Sequence, residues 1–205
     1  MFFVSWYDYY FIHNEDKMAE EASEPEQVMT IPSSEDSAMV KMVKTYLSQG
    51  SRNYQVQPPR EDGSTIISLT LTGHNSSFRT FIDVKVPQDR MLVFVESPVK
   101  VPEGEKRTKV SELLMRINYT LALGNFEIDF RDGEVRYRMA IDVEGSALSL
   151  QMVETNIMVS AACLDRYFPA IMSVTYGNVE PLKAFEDARS AAASTIESAA
   201  PNSSQ

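Results

Sequence analysis

In the stretch Asn118–Val143, NYTLALGNFEIDFRDGEVRYRMAIDV, the hydrophobic pattern changes from that of a helix to the two-residue alternation of a β-strand. The stretch also contains a strong turn signal. Gly124 follows apolar residues at a position where a helix often ends in a left-handed residue. From Phe126 to Arg131, apolar and charged residues alternate, which is typical of a β-strand with one buried face. Asp132-Gly133 is typical of a two-residue type I′ turn. The stretch therefore predicts a helix end followed by an amphipathic β-hairpin.

With that turn, the register of the hairpin makes both of its faces complementary. The predicted pairs are Phe130 with Val135, Ile128 with Tyr137, Phe126 with Met139, Asp129 with Arg136, and Glu127 with Arg138. A slip of one residue would exchange the two faces. We interpret the charged face as a solvated sheet surface that specifies the register. The alternative is a polar recognition face, which would consist of Glu127, Asp129, Arg136 and Arg138.

The composition indicates a globular chain. It has 205 residues, of which 43% are hydrophobic and 10% aromatic, which suits one domain with tails or two very small domains. The single cysteine, Cys163, excludes an intrachain disulfide. Because it lies in the apolar run VSAACL, we expect a buried residue there rather than a nucleophile. This cysteine usage does not indicate an oxidising compartment, and we predict a cytoplasmic location.

The acidity of the chain is concentrated near its N-terminal end. Of the formal net charge of −10, residues 1–36 carry −8, from one lysine and nine acidic residues. The remainder is nearly neutral, and a pI near 4.7 argues against the basic face that a sequence-independent nucleic-acid binder needs. No apolar run is expected to reach the roughly 18 residues that cross a bilayer. Neither nucleic acid nor a membrane is therefore a predicted partner.

The chain is predicted to consist of three segments. Residues 1–32 form an acidic N-terminal segment, which is expected to be disordered. Its first 17 residues, MFFVSWYDYYFIHNEDK, lack the basic start and the cleavage site of a secretory signal. We interpret them as a non-native leader before a start at Met18, with a short aromatic anchor as the alternative. Residues 33–189 form the folded domain, and residues 190–205 form a flexible Ala/Ser-rich tail.

Periodicity and capping residues predict the first part of the domain. A helix begins at Ser33-Ser34 and ends at Gly50. Four strands follow, at Tyr54–Val56, Ser64–Thr72, Phe78–Val86 and Met91–Glu96. A second helix is capped by Thr108, carries an apolar stripe to Leu121, and leads into the hairpin.

Two further helices are predicted after the hairpin. A long helix begins at Leu148-Ser149, and Pro169 is expected to kink or interrupt it. A short last helix begins at Glu180-Pro181. The order α-β-β-β-β-α-β-β-α-α predicts an α+β domain, in which an antiparallel sheet has helices packed on one face.

A family resemblance is carried by two stretches, RINYTLALGNFEIDFRDGEVRYRMAIDVEG from Arg116 and LDRYFPAIMSVTYGNVEPLKAFE from Leu164. They resemble the core of the YbjN family, whose members have the type III secretion chaperone-like fold. The resemblance implies an antiparallel sheet with helices on one face and often a homodimer. It does not imply an enzyme, because members are described as sensory-transduction regulators or chaperone-like proteins. The motif positions carry over as markers of the fold and not as catalytic residues.

The residues that could carry chemistry form no catalytic or metal-binding motif. The histidines are His13, in the leader, and His74, in a Gly-His-Asn turn, and with one cysteine they provide no zinc site. No cofactor-binding motif is present. Asn118 lies near the apolar stripe of its helix. We expect its side chain to bond neighbouring backbone at the helix-to-strand corner rather than a ligand.

These observations predict a non-enzymatic protein-binding module of chaperone-like or regulatory type. The alternative is a small-molecule-binding or hydrolytic domain that uses Glu127 and Asp129 together with Arg136 and Arg138. Unpaired carboxylates in a deep pocket would favour this alternative, whereas carboxylates paired on an open face would argue against it.

A candidate partner surface is predicted from apolar residues that one helical layer does not cover. Met91–Val95 is apolar on both parities, and a strand of this kind has to be covered on both faces. Methionines are common on adaptable binding surfaces. The candidate partner-binding residues are Leu92, Phe94, Met152, Met158 and Met172. A homodimer is the occupant favoured by the resemblance, a client protein is the second possibility, and cover by the first helix or the Val99–Pro102 loop is the third.

Overall fold

The computed structural model describes the backbone of residues 36–199 and the side chains of residues 36–191. The predicted N-terminal segment, including the leader, lies outside the described residues. The elements are α1 (Ala38–Gln49), β1 (Tyr54–Val56), β2 (Ser64–Thr72), β3 (Ser77–Lys85), a 3-10 turn (Val86–Gln88), β4 (Arg90–Glu96), α2 (Glu105–Asn118), β5 (Asn125–Ile128), β6 (Val135–Asp142), α3 (Leu150–Thr175) and α4 (Pro181–Ala199).

The strands of residues 36–199 form one six-stranded antiparallel sheet in the order β1-β2-β3-β4-β6-β5. α2 separates β4 from the hairpin along the chain, and the returning strand β6 joins β4 in the sheet. As a result, β5 becomes an edge strand although it precedes β6. The predicted fold class, an α+β domain with an antiparallel sheet and helices on one face, is confirmed.

The core lies between the helices and one face of the sheet. Alternation on β4 directs Met91, Val93 and Val95 into this core, where each is fully buried. α3 covers the centre of the sheet, and its Phe168 packs edge-on against Phe78 of β3 with ring centroids 5.7 Å apart. The inward-facing side chains of the strands and the apolar faces of the helices therefore pack together in one core.

The turn between β2 and β3 is anchored on α3 beside Pro169. A proline has no N–H for the carbonyl four residues earlier, which here belongs to Asp165. The side-chain Nδ2 of Asn75 donates to this carbonyl at 2.9 Å. The Asp165 carboxylate accepts the backbone N–H groups of His74 and Asn75 at 3.0 and 2.8 Å. The predicted interruption at Pro169 does not occur, and a tertiary contact satisfies the carbonyl that the proline leaves without a donor.

Three helices have boundaries that differ from the predicted ones. α1 begins after Ser37, whose hydroxyl accepts the Val40 N–H at 3.2 Å, and not at Ser33-Ser34. α2 begins before the predicted Thr108 cap and already ends at Asn118. α4 is 19 residues long rather than short, and its backbone remains helical beyond residue 189, where the predicted tail begins.

The hairpin keeps its predicted faces but not its predicted turn. The observed pairs are Ile128 with Val135, Glu127 with Arg136, Phe126 with Tyr137, and Asn125 with Arg138. The Asp129 N–H donates to the Glu134 carbonyl at 2.9 Å and closes a longer loop, in which Gly133 alone has a positive φ, of 78°. The predicted pairs were wrong by a shift of two residues. Because such a shift preserves which side chains share a face, the alternating pattern does not distinguish the two registers.

One described helix, α3, is long and apolar enough to cross a membrane by length and composition, with a mean hydropathy of 1.3 in its most apolar window. This differs from the expectation that no run would reach that length. Half of the window is buried inside the domain, where α3 serves as the central core helix.

Candidate functional site

The charged face of the hairpin is an ion-pair network centred on Glu127. Its carboxylate accepts Arg136 Nε at 2.9 Å and Arg138 Nη1 at 3.0 Å. Asp129 is bound instead by Arg131, whose Nη2 donates to the Asp129 Oδ2 at 2.6 Å. The structure thus brings together three of the four predicted polar-face residues and leaves Asp129 in a separate pair.

The pKa values of the hairpin carboxyls follow from these contacts. Burial raises the pKa of Glu127, but the hydrogen bonds from Arg138 and Arg136 outweigh it and keep the pKa below its ordinary value. Hydrogen bonds from Arg131 lower the pKa of Asp129 to about 2. Both carboxyls are therefore ionised and paired at neutral pH, which does not suit a general acid.

Asn118 closes part of the free edge of β5. Its Oδ1 accepts the Phe126 N–H at 2.7 Å, and its Nδ2 donates to the Phe126 carbonyl at 3.0 Å. One side-chain amide thus makes both bonds that an added strand would make at this residue. The predicted structural role of Asn118 is confirmed, and β5 is closed to strand addition at Phe126.

The face of the sheet opposite the helices has an apolar centre. One row across β2, β3, β4 and β6 consists of Ile66, Asp83, Leu92 and Ala140, and the next consists of Ser68, Phe81, Phe94 and Arg138. We call this surface the open face. Within the described residues, the helices pack on side chains of the other parity, and the apolar residues of the open face lie outside the helix-side core.

The border of the open face is charged and internally paired. The Nη2 of Arg79 lies 2.6 Å from the Oε2 of Glu96, and the Nη2 of Arg90 lies 2.7 Å from the Oδ2 of Asp142. The guanidinium of Arg136 lies 4.6 Å from the ring centroid of Phe94, so it shields that ring while it binds Glu127. An apolar centre within a polar rim is the usual arrangement of a protein interface.

Asp83 lies inside the apolar row, and only one of its two carboxylate oxygens is paired. It is 6% exposed, and its Oδ2 is 3.2 Å from Lys85 Nζ. Its Oδ1 is buried and has no hydrogen-bond partner among the described residues. A buried oxygen in this state costs free energy in the isolated domain.

The model of the YbjN family, described as "Putative bacterial sensory transduction regulator", matches residues 40–172. The chain belongs to the YbjN family. The match runs from α1 to α3 and includes all the strands described above. No curated protein and no solved structure matches the chain significantly.

In this YbjN-family chain, the predicted partner-binding residues do not form one surface. Leu92 and Phe94 lie on the open face, whereas Met152, Met158 and Met172 lie on α3, half-buried against the core on the other side of the sheet. Leu92 is 7% exposed within the described residues, whereas Val101 and the apolar side chains of α1 belong to the helix-side core.

Sequence reasoning missed several other members of the open face, among them Ile66, Phe81 and Asp83. A signal was present in the pair Ile66-Ile67, since two consecutive apolar residues in a strand place one on each face. The same logic applies to Phe81-Ile82 of β3. That these residues adjoin Leu92 and Phe94 depends on the strand order.

Neither an activated cysteine nor a metal-binding cluster is found in the described region. Cys163 is buried, and burial raises the pKa of its thiol, so it is not activated as a nucleophile. Within residues 36–199, no group of three or more His, Cys, Asp or Glu side chains could hold a metal ion.

Proposed function

We propose that this protein is a non-enzymatic, cytoplasmic protein-binding module of regulatory, chaperone-like type, and that the open face is its partner surface. The observation that carries the proposal is a sheet covered by helices on one face and apolar at the centre of the other. At that centre Ile66 and Leu92 are 8% and 7% exposed, and Phe81 and Phe94 are partly exposed; an apolar patch rimmed by polar residues is typical of interaction sites. The family description, a sensory transduction regulator, agrees with a regulatory role.

The paired carboxylates favour binding over hydrolysis. Glu127 makes hydrogen bonds with two arginines, and Asp129 is held by Arg131. Glu127, Asp129, Arg131 and Arg136 line a surface depression of about 480 Å³ together with Glu134. The polar face therefore serves as the rim of a binding surface in this proposal.

The first occupant that we propose is a second copy of the chain. The open-face side chains of the strands comprise five basic residues, Arg79, Lys85, Arg90, Arg136 and Arg138, and four acidic residues, Asp83, Glu96, Glu127 and Asp142. This near balance allows the face to meet a copy of itself without strong repulsion, as a two-fold interface requires. Client proteins would compete for the same face.

Sedimentation equilibrium of the full chain tests the proposal. We expect a concentration-dependent dimer, and we expect Phe94→Ser to weaken dimerisation by about tenfold or more because it removes a central aromatic side chain. Met115→Ser is the matched control, since Met115 is 67% exposed on α2, away from the open face. Far-UV circular dichroism checks that both variants fold. A wild-type chain that stays monomeric at its highest soluble concentration would contradict the homodimer.

A further inference from the structure

We propose that a groove between α2 and α4 binds an aromatic stretch of the same chain, residues 2–12, FFVSWYDYYFI. We call the site the helix groove and its occupant the aromatic stretch. The groove is formed by helices and not by the open face, so its occupant is independent of the proposed function. Residues 1–17 thereby gain an anchoring role, the second of the two interpretations above, and the domain itself is the surface that they bind.

The helix groove has the two most exposed large hydrophobic side chains of the described residues. It has a volume of about 570 Å³ and lies between the C-terminal end of α2 and the first half of α4. On the α2 side, Tyr119 is 94% exposed and Met115 is 67% exposed, and the half-buried Phe185 forms the α4 side. Neighbouring exposed side chains of this kind are typical of a site that another segment covers.

The charge of the helix groove favours an acidic occupant. Arg189 lies over the ring of Phe185, with its guanidinium carbon 5.6 Å from the ring centroid, and no carboxylate of the described residues pairs with it. Arg116 binds Glu112 on its own helix, with Nη2 2.7 Å from Oε1. Two arginines and one glutamate therefore line the groove, and Arg189 can bind a carboxylate from outside the described residues.

The aromatic stretch has the composition that suits this groove. Nine of its eleven residues are large and hydrophobic, and seven of these are aromatic, so their exposure to water is unfavourable. Asp8 lies within the stretch, and Glu15 follows it closely. The stretch can therefore place rings against Tyr119 and Phe185 while one of its carboxylates pairs with Arg189.

The connecting chain is long enough for this contact. Residues 13–35 separate the aromatic stretch from the first described residue, and 23 extended residues span up to about 75 Å. A compact domain of the size of residues 36–199 has a diameter of about 40 Å. The stretch can therefore reach the helix groove of its own chain. The open face suits it less, because Arg79, Arg90 and Arg136 already bind carboxylates there.

Trp6 provides the test, because it is the single tryptophan of the chain and lies within the aromatic stretch. In the full chain its fluorescence should be shifted to the blue, and acrylamide should quench it less than it quenches a peptide of residues 1–17. Tyr119→Ser should lower the ratio of docked to free stretch by about tenfold, since an aromatic contact is lost. Arg189→Glu should also lower this ratio, because it places a repulsive charge in the groove. Both variants should therefore make Trp6 more accessible to acrylamide.

Phe130→Ser and Lys41→Glu are the matched controls, since they change an exposed aromatic residue and an exposed cation outside the helix groove. Neither should change the quenching of Trp6, and far-UV circular dichroism checks that all variants fold. The inference fails if Trp6 is as accessible in the full chain as in the peptide. It also fails if both groove variants leave Trp6 protected, because the stretch then binds elsewhere.

A dilution series separates docking within one chain from docking between copies. Protection of Trp6 should not depend on concentration, and protection that is lost on dilution would overturn docking within the same chain. Sedimentation equilibrium reports the homodimer separately. A dimer with an accessible Trp6 would leave the proposed function standing without the helix-groove contact, and a monomer with a protected Trp6 that Tyr119→Ser exposes would support the contact without the homodimer.

Discussion

At the scale of single residues, Gly133 shows how one position fixes the hairpin. Its φ is 78°, and its carbonyl accepts the Val101 N–H at 2.8 Å. A Cβ atom built at Gly133 would lie 2.0 Å from the Val101 carbonyl oxygen. The position therefore needs glycine for its backbone conformation and also for its contact with the loop before α2.

Gly133→Ala should lower the free energy of unfolding by about 2 kcal/mol or more, because it adds backbone strain and an overlap with Val101. Gly145→Ala is the matched control, since Gly145 has a φ of 72° but open space around the added Cβ. It should cost only about 1 kcal/mol, from the conformation alone. Equal losses in urea unfolding would show that the contact with Val101 is unimportant.

At the scale of elements, the β5–β6 hairpin is held by side chains from outside it. Asn118 of α2 binds Phe126, and Arg107 of α2 donates to the Phe130 carbonyl at 2.7 Å. The ring of Phe126 packs edge-on against Tyr167 of α3, with centroids 5.9 Å apart, and within the hairpin against Tyr137, with centroids 5.1 Å apart. These contacts favour the observed register over the one predicted from a two-residue turn.

Two glutamates of the hairpin are expected to affect the pH dependence of stability in opposite directions, because the pKa of one is lowered and that of the other is raised. The lowered pKa of Glu127 contributes stability that is present above its unfolded pKa and is lost as the pH falls through its folded pKa. Glu127→Gln should therefore lower the melting temperature at pH 7, by an amount equivalent to about 1 kcal/mol or less, and have a smaller effect near pH 3.

The effect of Glu134 on stability has the opposite pH dependence, since burial and the nearby Glu96 and Asp132 carboxylates raise its pKa. The folded state then binds more protons, and stability falls as the pH rises from the unfolded pKa through the folded one. Glu134→Gln should raise the melting temperature at pH 7 and have little effect near pH 4. Parallel pH profiles for Glu127→Gln and Glu134→Gln would contradict these assignments.

At the scale of the whole molecule, the sheet order sets a gradient of stability. β3, β4 and β6 are central strands with partners on both sides and the core beneath them. β1 is a three-residue edge strand. Because an edge strand has fewer contacts, local opening should release it without unfolding the centre.

Hydrogen exchange measures this gradient. The hydrogen-bonded amides of β4 should exchange only through global unfolding, and those of β1 should exchange more than about 100-fold faster. β2, which pairs with both β1 and β3, should keep its protection on the β3 side. Protection of β1 equal to that of β4 would indicate that the domain opens as one cooperative unit.

The sequence by itself determined which segments become helices and strands and which side chains share a face. The reason is local: a period of two or of 3.6 residues places side chains on faces without reference to the rest of the chain. The α+β class and the structural role of Asn118 were predictable on that basis, whereas the family was predicted from the resemblance of two stretches, which begin at Arg116 and Leu164. The start of α1 was harder to predict, because Ser33, Ser34 and Ser37 are all suitable N-cap residues and lie close together in the sequence.

The tertiary structure decided the register of the hairpin and the composition of the open face. Registers that differ by two residues have the same faces, so contacts of Gly133 with Val101 and of Phe126 with Asn118 were needed to select one. Asp83 and Leu92 belong to different strands, and only their pairing in the sheet makes them neighbours. The Oδ1 of Asp83, buried without a donor among the described residues, is a property of that packing, because its cross-strand neighbours Ile66 and Leu92 come from the two strands that flank β3.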